Sequence, residues 1–233
     1  LETEMAPLIH VLGKEVGNIF SDIHKNRGVN IKLGDSILEI HGEDKAEQVV
    51  TSNGSIIECD LVVIGVGVEP EVSLAAGTGI ALGDGILVDE YCRTSAPNVF
   101  AAGDVANWHH PSLGQRIRVE HWDNAQNQGA VAARNMLGTN EAYDPILYFW
   151  SDQYDLNIQY IGYATKWDNI IYRGQVSTQS FSVFYLKDKA IKGALIVNKF
   201  KDIRPTRNLI KSKIKVEGSD LSDESKSLKQ LIT

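Results

Sequence analysis

The fold of this chain is decided by residues 94–104, which read TSAPNVFAAGD. The pattern predicts a turn, then a buried strand over 99–102, and then a glycine and a carboxylate at the end of that strand. Ligands of an open α/β sheet bind at the carboxyl ends of its strands. The small residues at 101–103 let a flat ligand approach the backbone, and Asp104 offers an acceptor to a hydroxyl group. The alternative is that Asp104 caps a following helix, since aspartate is a favoured N-cap.

A second strand signal lies at residues 60–67, which read DLVVIGVG. A continuous run of valine, isoleucine and leucine that ends in glycines predicts a parallel strand buried on both faces. Upstream of it, the spacing of apolar residues predicts an amphipathic helix over 7–27 that ends at Gly28. Shorter elements are predicted there as well: strands over 29–33 and 36–41, and a hairpin turn at 53–54. Residues 1–67 therefore resemble the second half of a dinucleotide-binding unit, although a G-x-G-x-x-G fingerprint occurs nowhere in the sequence.

The amino-acid composition and patterning of the chain change after Pro145. Before it, a strand is predicted over 86–89 and a helix rich in alanine and glycine over 122–137, which Gly138 ends. After it, runs of valine, isoleucine, tyrosine and phenylalanine predict an antiparallel sheet. The elements predicted there are strands over 157–164, 176–186 and 190–197, a hairpin turn at 187–189, and helices near 204–213 and 223–232. The predicted fold class is α/β, built from partial dinucleotide-binding domains, followed by a small α+β domain with an antiparallel sheet.

The composition and charge of the chain argue against nucleic-acid binding and against a membrane span. A net charge of −7 disfavours nucleic-acid binding, which depends on clustered lysine and arginine. No apolar run approaches the roughly 20 residues of a membrane span, and no signal peptide is visible. Cys59 and Cys92 lie outside any C-x-x-C pattern, so we expect two reduced thiols in a cytoplasmic protein. His109, His110 and His121 lack metal-ligand spacing, so we expect no metal site, and we expect the first two to be exposed loop residues.

Four motifs occur in one order along the chain: GVGVEP at 65–70, AAGD at 101–104, VEHW at 119–122 and FWSD at 149–152. Together they resemble the FAD-dependent pyridine-nucleotide reductases, above all the reductases of putidaredoxin, rhodocoxin and biphenyl-dioxygenase ferredoxins, together with apoptosis-inducing-factor-like proteins. The resemblance covers nearly the whole chain. It implies the C-terminal half of an NAD-binding domain over 1–68, the C-terminal segment of an FAD-binding domain over 69–144, and an interface or dimerisation domain over 145–233. We therefore expect these residues by themselves to bind FAD poorly.

The resemblance also implies which residues touch the flavin. Asp104 hydrogen-bonds the ribityl chain of FAD, next to Gly103. His121 and Trp122, at the start of the small-residue helix, contact the pyrimidine edge of the flavin. A helix N-terminus suits the negative charge that develops at that edge on reduction. The alternative for His121 and Trp122 is packing at an interface.

Four further residues are implied around the nicotinamide cofactor. Glu120 orients the carboxamide, and its alternative is a carboxylate in the first turn of a helix. Trp150 lies beside the flavin or over the nicotinamide, and its alternative is a core aromatic between two domains. Gly67 passes close to the nicotinamide end, or is a turn glycine. Glu2 binds the adenosine ribose hydroxyls, which favours NADH over NADPH, or is a frayed, charged terminus.

The implied reaction is hydride transfer from the nicotinamide C4 to the flavin N5. Electrons then pass to a ferredoxin- or rubredoxin-type protein, a quinone or oxygen. The cofactors FAD and NAD(H) carry that chemistry, so no catalytic side chain is assigned. The alternative function is a cofactor-free module that binds a partner, or a second copy of itself as a homodimer, through the sheet at 157–197.

Overall fold

A computed structural model describes residues 1–232 of the chain. The protein divides into a first unit, Leu1–Gly67, and a second unit that begins at Val68. The four α-helices are α1 (Ile9–Asn26), α2 (Trp122–Met136), α3 (Phe200–Ser212) and α4 (Gly218–Ser222). Three sheets accompany them, with three, four and five strands. Over residues 1–232, no helix has both the length and the apolar character needed to cross a bilayer.

The first unit contains α1 and a small antiparallel sheet. The sheet has the order β1-β2-β3, with strands β1 (Ile37–His41), β2 (Gln48–Thr51) and β3 (Ile56–Glu58). Helix α1 confirms the predicted amphipathic pattern, because Leu12, Val16 and Phe20 recur on one buried face. It bends at Gly13, whose φ of 76° is not helical. The predicted end at Gly28 is confirmed: its φ is +87°, and its N–H donates to the Lys25 carbonyl, as in a Schellman cap.

The other predictions for this unit have mixed outcomes. The turn at 53–54 joins β2 to β3 as expected, and Gly54 has the positive φ of 78° that such a turn needs. The strand predicted over 29–33 is wrong, since only Leu33 forms a bridge, with Glu2. The buried strand predicted over 60–67 is also wrong: those residues pair with no strand among residues 1–232 and are largely exposed. A parallel strand needs neighbours to satisfy its backbone, and none lies beside this segment.

The second unit begins with a mixed sheet of order β4-β5-β6-β7. Its strands are β4 (Leu82–Gly83), β5 (Gly85–Val88), β6 (Ala106–His110) and β7 (Gln115–Ile117). Only the β5–β6 pair is parallel. The fully buried Trp108 of β6 lies in a core cluster with Val88, Val131 and Tyr143. This core joins the sheet to α2, the helix that was predicted over 122–137.

Two predictions around β6 need correction. The strand expected over 99–102 is only a bridge between Arg93 and Phe100, because the chain folds back there and the Thr94 N–H donates to the Val99 carbonyl. Asp104 then lies in a turn before β6 and caps no helix. His109 and His110 belong to β6 rather than to a loop, and His110 is buried, with 2% of its surface exposed.

The C-terminal part is a five-stranded antiparallel sheet of order β10-β11-β12-β9-β8. The predicted strands are confirmed as β9 (Leu156–Gly162), β11 (Ser180–Lys187) and β12 (Ala190–Val197). The hairpin turn is confirmed too, since Asp188 and Lys189 both have positive φ. Strands β8 (Tyr148–Gln153) and β10 (Asn169–Gln175) were not predicted, because polar residues interrupt their apolar alternation. Residues 176–178, predicted as strand, form a 3₁₀ turn.

Helices cover this sheet. Helix α3 packs against β12 and β9, and α4 packs against β10. The helix predicted over 223–232 is wrong: this segment contains only a short 3₁₀ turn, Leu228–Ile232, and the helix α4 lies before it, at residues predicted as a turn. The reason is Arg173, whose guanidinium donates hydrogen bonds to the carbonyls of Asp223 and Lys226. Those oxygens would otherwise accept bonds within a continuous helix.

Candidate functional site

The AAGD loop and the start of α2 lie against each other. The Gly103 N–H donates a 2.8 Å hydrogen bond to Oε1 of the buried Gln128. A Cβ at position 103 would lie 3.4 Å from the Cβ of Ala125, and Gly103 has a φ of +79°. Small residues at 103 and 125 therefore let the loop come close to the helix. The two elements that the sequence singled out for a flat ligand are neighbours.

The N-terminus of α2 presents unpaired backbone donors. His121 is the N-cap residue, with an extended φ of −108°, and no side chain caps the helix. The first intrahelical bond runs from the Ala125 N–H to the His121 carbonyl at 3.0 Å. The N–H groups of Trp122, Asp123 and Asn124 therefore have no acceptor within the helix. The helix dipole adds partial positive charge at the same point, which favours an anion or a carbonyl oxygen.

The environment of this helix end perturbs the pKa of His121. Burial lowers the pKa of its imidazole, and the nearby carboxylates of Asp104, Asp123 and Glu120 oppose that shift only in part. The ring is therefore neutral at pH 7. Its Nδ1 is buried and has no hydrogen-bond partner among residues 1–232. A neutral ring with an unused nitrogen can donate to or accept from a ligand at the helix end.

An exposed aromatic pair lies beside this helix end. The rings of Trp122 and Trp150 meet edge to face at a centroid distance of 5.6 Å. Trp122 is 65% exposed and Trp150 is 42% exposed, so Trp150 is not a core residue. The ring of Tyr148 stacks on Trp150 at a centroid distance of 5.9 Å, and the Phe149 ring lies 5.0 Å from the His121 ring. Strand β8, which carries Tyr148, Phe149 and Trp150, thus completes the site from the C-terminal sheet.

Arg118 connects the two segments of the site, and sequence reasoning missed it. Its guanidinium donates to Oε1 of Glu120 at 2.7 Å, to Oδ1 of Asp84 at 2.8 Å and to the Asp104 carbonyl at 3.1 Å. The alternation in RVEHW is the signal that could have found it, because residues 118 and 120 share one side of an extended chain. Glu120 precedes the N-cap, so it is not a first-turn carboxylate of α2. Its charge is held by Arg118 instead.

Asp104 has a different environment from Glu120. Its residue is exposed, and its backbone carbonyl accepts from Arg118. No hydrogen bond to its carboxylate is made by the part of the chain that the structure describes. The carboxylate is therefore available to a ligand.

The two remaining predicted site residues lie in the first unit. Glu2 is ordered by a parallel bridge to Leu33 and by the hydrogen bond of its N–H to the Lys32 carbonyl at 2.9 Å. Its carboxylate also accepts from the Glu4 N–H, so it is not a frayed terminus. Gly67 has a φ of +101°, and a Cβ there would meet nothing within 4 Å. The other six predicted residues are gathered in the second unit.

No metal centre accompanies these residues. Over residues 1–232, no group of three or more histidine, cysteine, aspartate or glutamate side chains is placed to hold a metal ion.

The buried histidines predict a pH dependence of stability. Burial lowers the pKa of both His110 and His121 below the 6.5 of a free histidine. Below pH 6.5 these two histidines bind protons in the unfolded chain more readily than in the folded chain. The free energy of unfolding is therefore highest above pH 6.5 and decreases as the pH falls from 6.5 towards the lower pKa values of the folded state. Urea unfolding at about pH 7.5 and about pH 5.5 measures the loss. The double variant His110→Gln, His121→Gln should lose less between these pH values, and an equal loss would contradict the assignment.

Comparison with known proteins places this geometry in a family. A family model described as pyridine nucleotide-disulphide oxidoreductase matches residues 1–129, and one described as reductase C-terminal matches residues 148–232. The ferredoxin reductase subunit of a 5,5'-dehydrodivanillate O-demethylase from Sphingobium sp. is 37% identical over 227 residues, which cover 96% of this chain and 55% of that protein. Rhodocoxin reductase from Rhodococcus erythropolis is 33% identical, covering 97% of this chain and 53% of that protein.

Comparison with solved structures leads to the same family. The ferredoxin reductase for the CYP199A2 system from Rhodopseudomonas palustris matches with a TM-score of 0.95 and 34% identity, covering 100% of this chain and 58% of its own. A putidaredoxin reductase solved in covalent complex with putidaredoxin matches with a TM-score of 0.93 and 30% identity, covering 99% of this chain and 56% of its own. The chain thus spans about half the length of the relatives it matches. Since one family model alone covers more than half of its residues, the chain belongs to the pyridine nucleotide-disulphide oxidoreductase family.

Proposed function

We propose that the protein containing this chain is an FAD-dependent NADH oxidoreductase that passes electrons to a ferredoxin- or rubredoxin-type protein. The observation that carries the proposal is the meeting of the Gly103–Asp104 loop with the uncapped N-terminus of α2. When bound there, FAD supplies the acceptor for a hydride from NADH. The residues of the chain supply position and charge.

The groups at this point match the polar edges of FAD. The Asp104 carboxylate accepts a hydrogen bond from a ribityl hydroxyl. The free N–H groups that begin with Trp122 face the carbonyl edge of the flavin ring, where negative charge collects on reduction. His121 stays neutral and offers its unused Nδ1 to the same edge. Gly103 lets the loop lie against Ala125 of α2, which keeps the Asp104 carboxylate near the helix N-terminus.

The aromatic pair and Glu120 serve the nicotinamide side. Trp122 and Trp150 expose aromatic surface that excludes water from a planar ring. Glu120 holds the nicotinamide carboxamide, and Arg118 fixes the direction of its carboxylate. Gly67 leaves room for the nicotinamide end of the dinucleotide. Glu2 accepts the adenosine ribose hydroxyls and repels a ribose phosphate, which selects NADH over NADPH.

The domain boundaries form part of the proposal: an NAD-binding segment over 1–68, an FAD-binding segment over 69–144 and an interface domain over 145–233. The change of family model between residues 129 and 148 supports the last boundary.

Cytoplasmic localisation is also part of the proposal. Cys59 and Cys92 are free thiols, and burial raises the pKa of the Cys92 thiol to about 12, so this thiol is unreactive at neutral pH.

The proposed electron acceptor follows from the relatives of this chain. Several are ferredoxin reductases, and one was solved bound to putidaredoxin.

The alternative function, an interaction module that includes a homodimer, requires an open sheet surface at 157–197. Strands β9, β11 and β12 are instead the interior strands of the sheet, and nearly all of their residues are buried. The edge strand β10 is the more exposed strand of this range, so a partner of this module would contact the sheet there.

Flavin spectroscopy of the full-length gene product tests the proposal. The purified protein is expected to be yellow and to bleach on anaerobic addition of NADH, while an equal concentration of NADPH acts more slowly, because Glu2 repels its ribose phosphate. Stopped-flow absorbance measures both rates. A colourless protein that takes up no FAD would contradict the function, whereas equal rates with both nucleotides would contradict only the role of Glu2.

A further inference from the structure

The second unit contains a cleft that none of the six gathered site residues lines. Its volume is about 730 Å³, within the range of small-molecule pockets. It lies between the β6–β7 turn, the segment 144–147 that leads into β8, and one side of α3. Nothing in the proposed flavin chemistry uses it.

The polar lining of the cleft is mainly positive. One carboxylate, that of Asp144, and four cationic side chains line the cleft. The cations are Lys192, Arg207, Lys211 and Lys213. This concentration stands out in a chain whose net charge is −7. The contacts of two of these cations are weak: Lys213 donates to the Ser112 carbonyl at 3.4 Å, and the Arg207 guanidinium lies over the Tyr148 ring at 5.4 Å.

Asp144 does not cancel this charge for a ligand. One of its oxygens accepts from the Ser112 N–H at 2.9 Å and the other from the Ser112 Oγ at 2.6 Å. The buried His110 Nδ1 lies 3.1 Å from the same carboxylate. These contacts, with Lys213 nearby, hold the pKa of Asp144 below its usual range. The carboxylate is thus engaged with the wall of the cleft rather than free at its centre.

The rest of the lining is apolar. Leu113, Ile146, Leu147 and Ile210 contribute hydrocarbon, and Tyr163 contributes a half-buried ring. Gly162 also lines the cleft and packs against Ile210, since a Cβ at position 162 would lie 3.2 Å from Cδ1 of Ile210. An apolar wall with cations at one side fits a molecule with a hydrophobic body and a charged end.

We propose that this cleft binds a small anion that carries a carboxylate or a phosphate on an apolar, ring-containing body. Arg207 and Lys211 stand four residues apart on α3 and therefore share one side of the helix. Together they grip the anionic group, and Arg207 offers the paired N–H donors that suit either anion. The body of the ligand lies on Ile210, Tyr163 and Leu147. This inference does not depend on the proposed oxidoreductase activity.

Calorimetric titration of the protein with three probes tests the cleft. The probes are naphthoate, naphthyl phosphate and the neutral naphthylmethanol. Naphthoate, naphthyl phosphate or both are expected to bind with submillimolar affinity, and the neutral probe more weakly. The double variant Arg207→Gln, Lys211→Gln is expected to weaken anion binding by roughly ten- to hundredfold. The ratio of the two anion affinities then tells whether the natural ligand is a carboxylate or a phosphate ester.

Lys201→Gln is the matched control, since Lys201 is an exposed cation of α3 that does not line the cleft. It is expected to leave binding unchanged. The proposal is overturned if neither anion binds, if the neutral probe binds as tightly as the anions, or if Lys201→Gln weakens binding as much as the double variant. Thermal unfolding of each variant shows that the fold is intact, and a folded double variant with unchanged affinity would also overturn it.

Discussion

Arg173→Ala is expected to destabilise the protein by about 3–5 kcal/mol, because it removes one partner of a buried ion pair. Arg173 lies on β10 with 6% of its surface exposed, and Asp202 on α3 is 8% exposed. Nε of Arg173 lies 3.5 Å from Oδ2 of Asp202, which also accepts from the Ser182 hydroxyl at 2.8 Å. The variant leaves Asp202 buried without its counter-charge.

The same guanidinium holds the C-terminal segment. Its Nη1 donates to the carbonyls of Leu221 and Asp223 at 3.0 Å and 2.7 Å, and its Nη2 donates to the Lys226 carbonyl at 2.8 Å. Loss of these bonds also leaves buried carbonyl oxygens unpaired. We expect limited proteolysis to cut the variant first between α4 and the last 3₁₀ turn. Arg173→Lys should fall between the two proteins in stability, since a lysine keeps the charge but not the fork of donors.

Denaturant unfolding measures the effect, and Arg204→Ala is the matched control. Arg204 is an exposed residue of α3, and an exposed substitution away from such networks changes stability by about 0.5 kcal/mol or less. If Arg173→Ala unfolded at the same denaturant concentration as the control, the buried pair would not stabilise the fold in the way argued here.

Asp104→Ala is expected to weaken FAD retention in the full-length protein by roughly ten- to hundredfold, the value of a hydrogen bond to a charged group. This prediction rests on the proposed function. The carboxylate is exposed and receives no hydrogen bond from residues 1–232, so removing it disturbs few protein contacts. Its loss should therefore appear in cofactor affinity and leave the melting temperature of the cofactor-free protein nearly unchanged.

Flavin fluorescence during dilution or dialysis measures retention. Asp104→Asn keeps one oxygen acceptor and should fall between alanine and the native residue. Glu90→Gln, a change of charge on the same unit outside the site, should retain FAD like the native protein. An Asp104→Ala protein that holds FAD as tightly as the Glu90→Gln control would remove Asp104 from the binding site.

Local signals in the sequence were reliable where the physics was local. The hairpin turns at 53–54 and 187–189 and the end of α1 at Gly28 each have a residue with positive φ, and each follows from residues adjacent in the sequence. The start of α2 near His121 was predicted from the run of small residues that follows it. The four motifs were sufficient to identify the family, because their order along the chain is specific.

Predictions failed where a segment depended on distant partners. Residues 60–67 have the composition of a buried strand, but a strand forms only beside neighbouring strands, and within residues 1–232 no strand pairs with this segment. The segment 99–102 was read as a strand from its apolar residues, yet its backbone bonds close a turn instead. Polar residues in β8 and β10 hid two strands whose partners are β9 and β11.

The residues that organise the structure were the hardest to see. Arg118 and Arg173 carry no motif, and an arginine in a sequence is usually a solvated surface group. Each becomes an organising residue only because carboxylates and carbonyl oxygens from remote segments converge on it.

The sequence by itself determined the family, through its four ordered motifs, and the class of fold and the turns, since these depend on composition and near-neighbour spacing. Tertiary structure decided which residues of the candidate flavin site meet. It brought Gly103 against Ala125, set Trp122 on Trp150 across 28 residues of chain, and gathered four cations around a cleft. The physical reason is that contacts between distant segments are set by packing and hydrogen-bond satisfaction over the whole domain, which spacing along the chain does not encode.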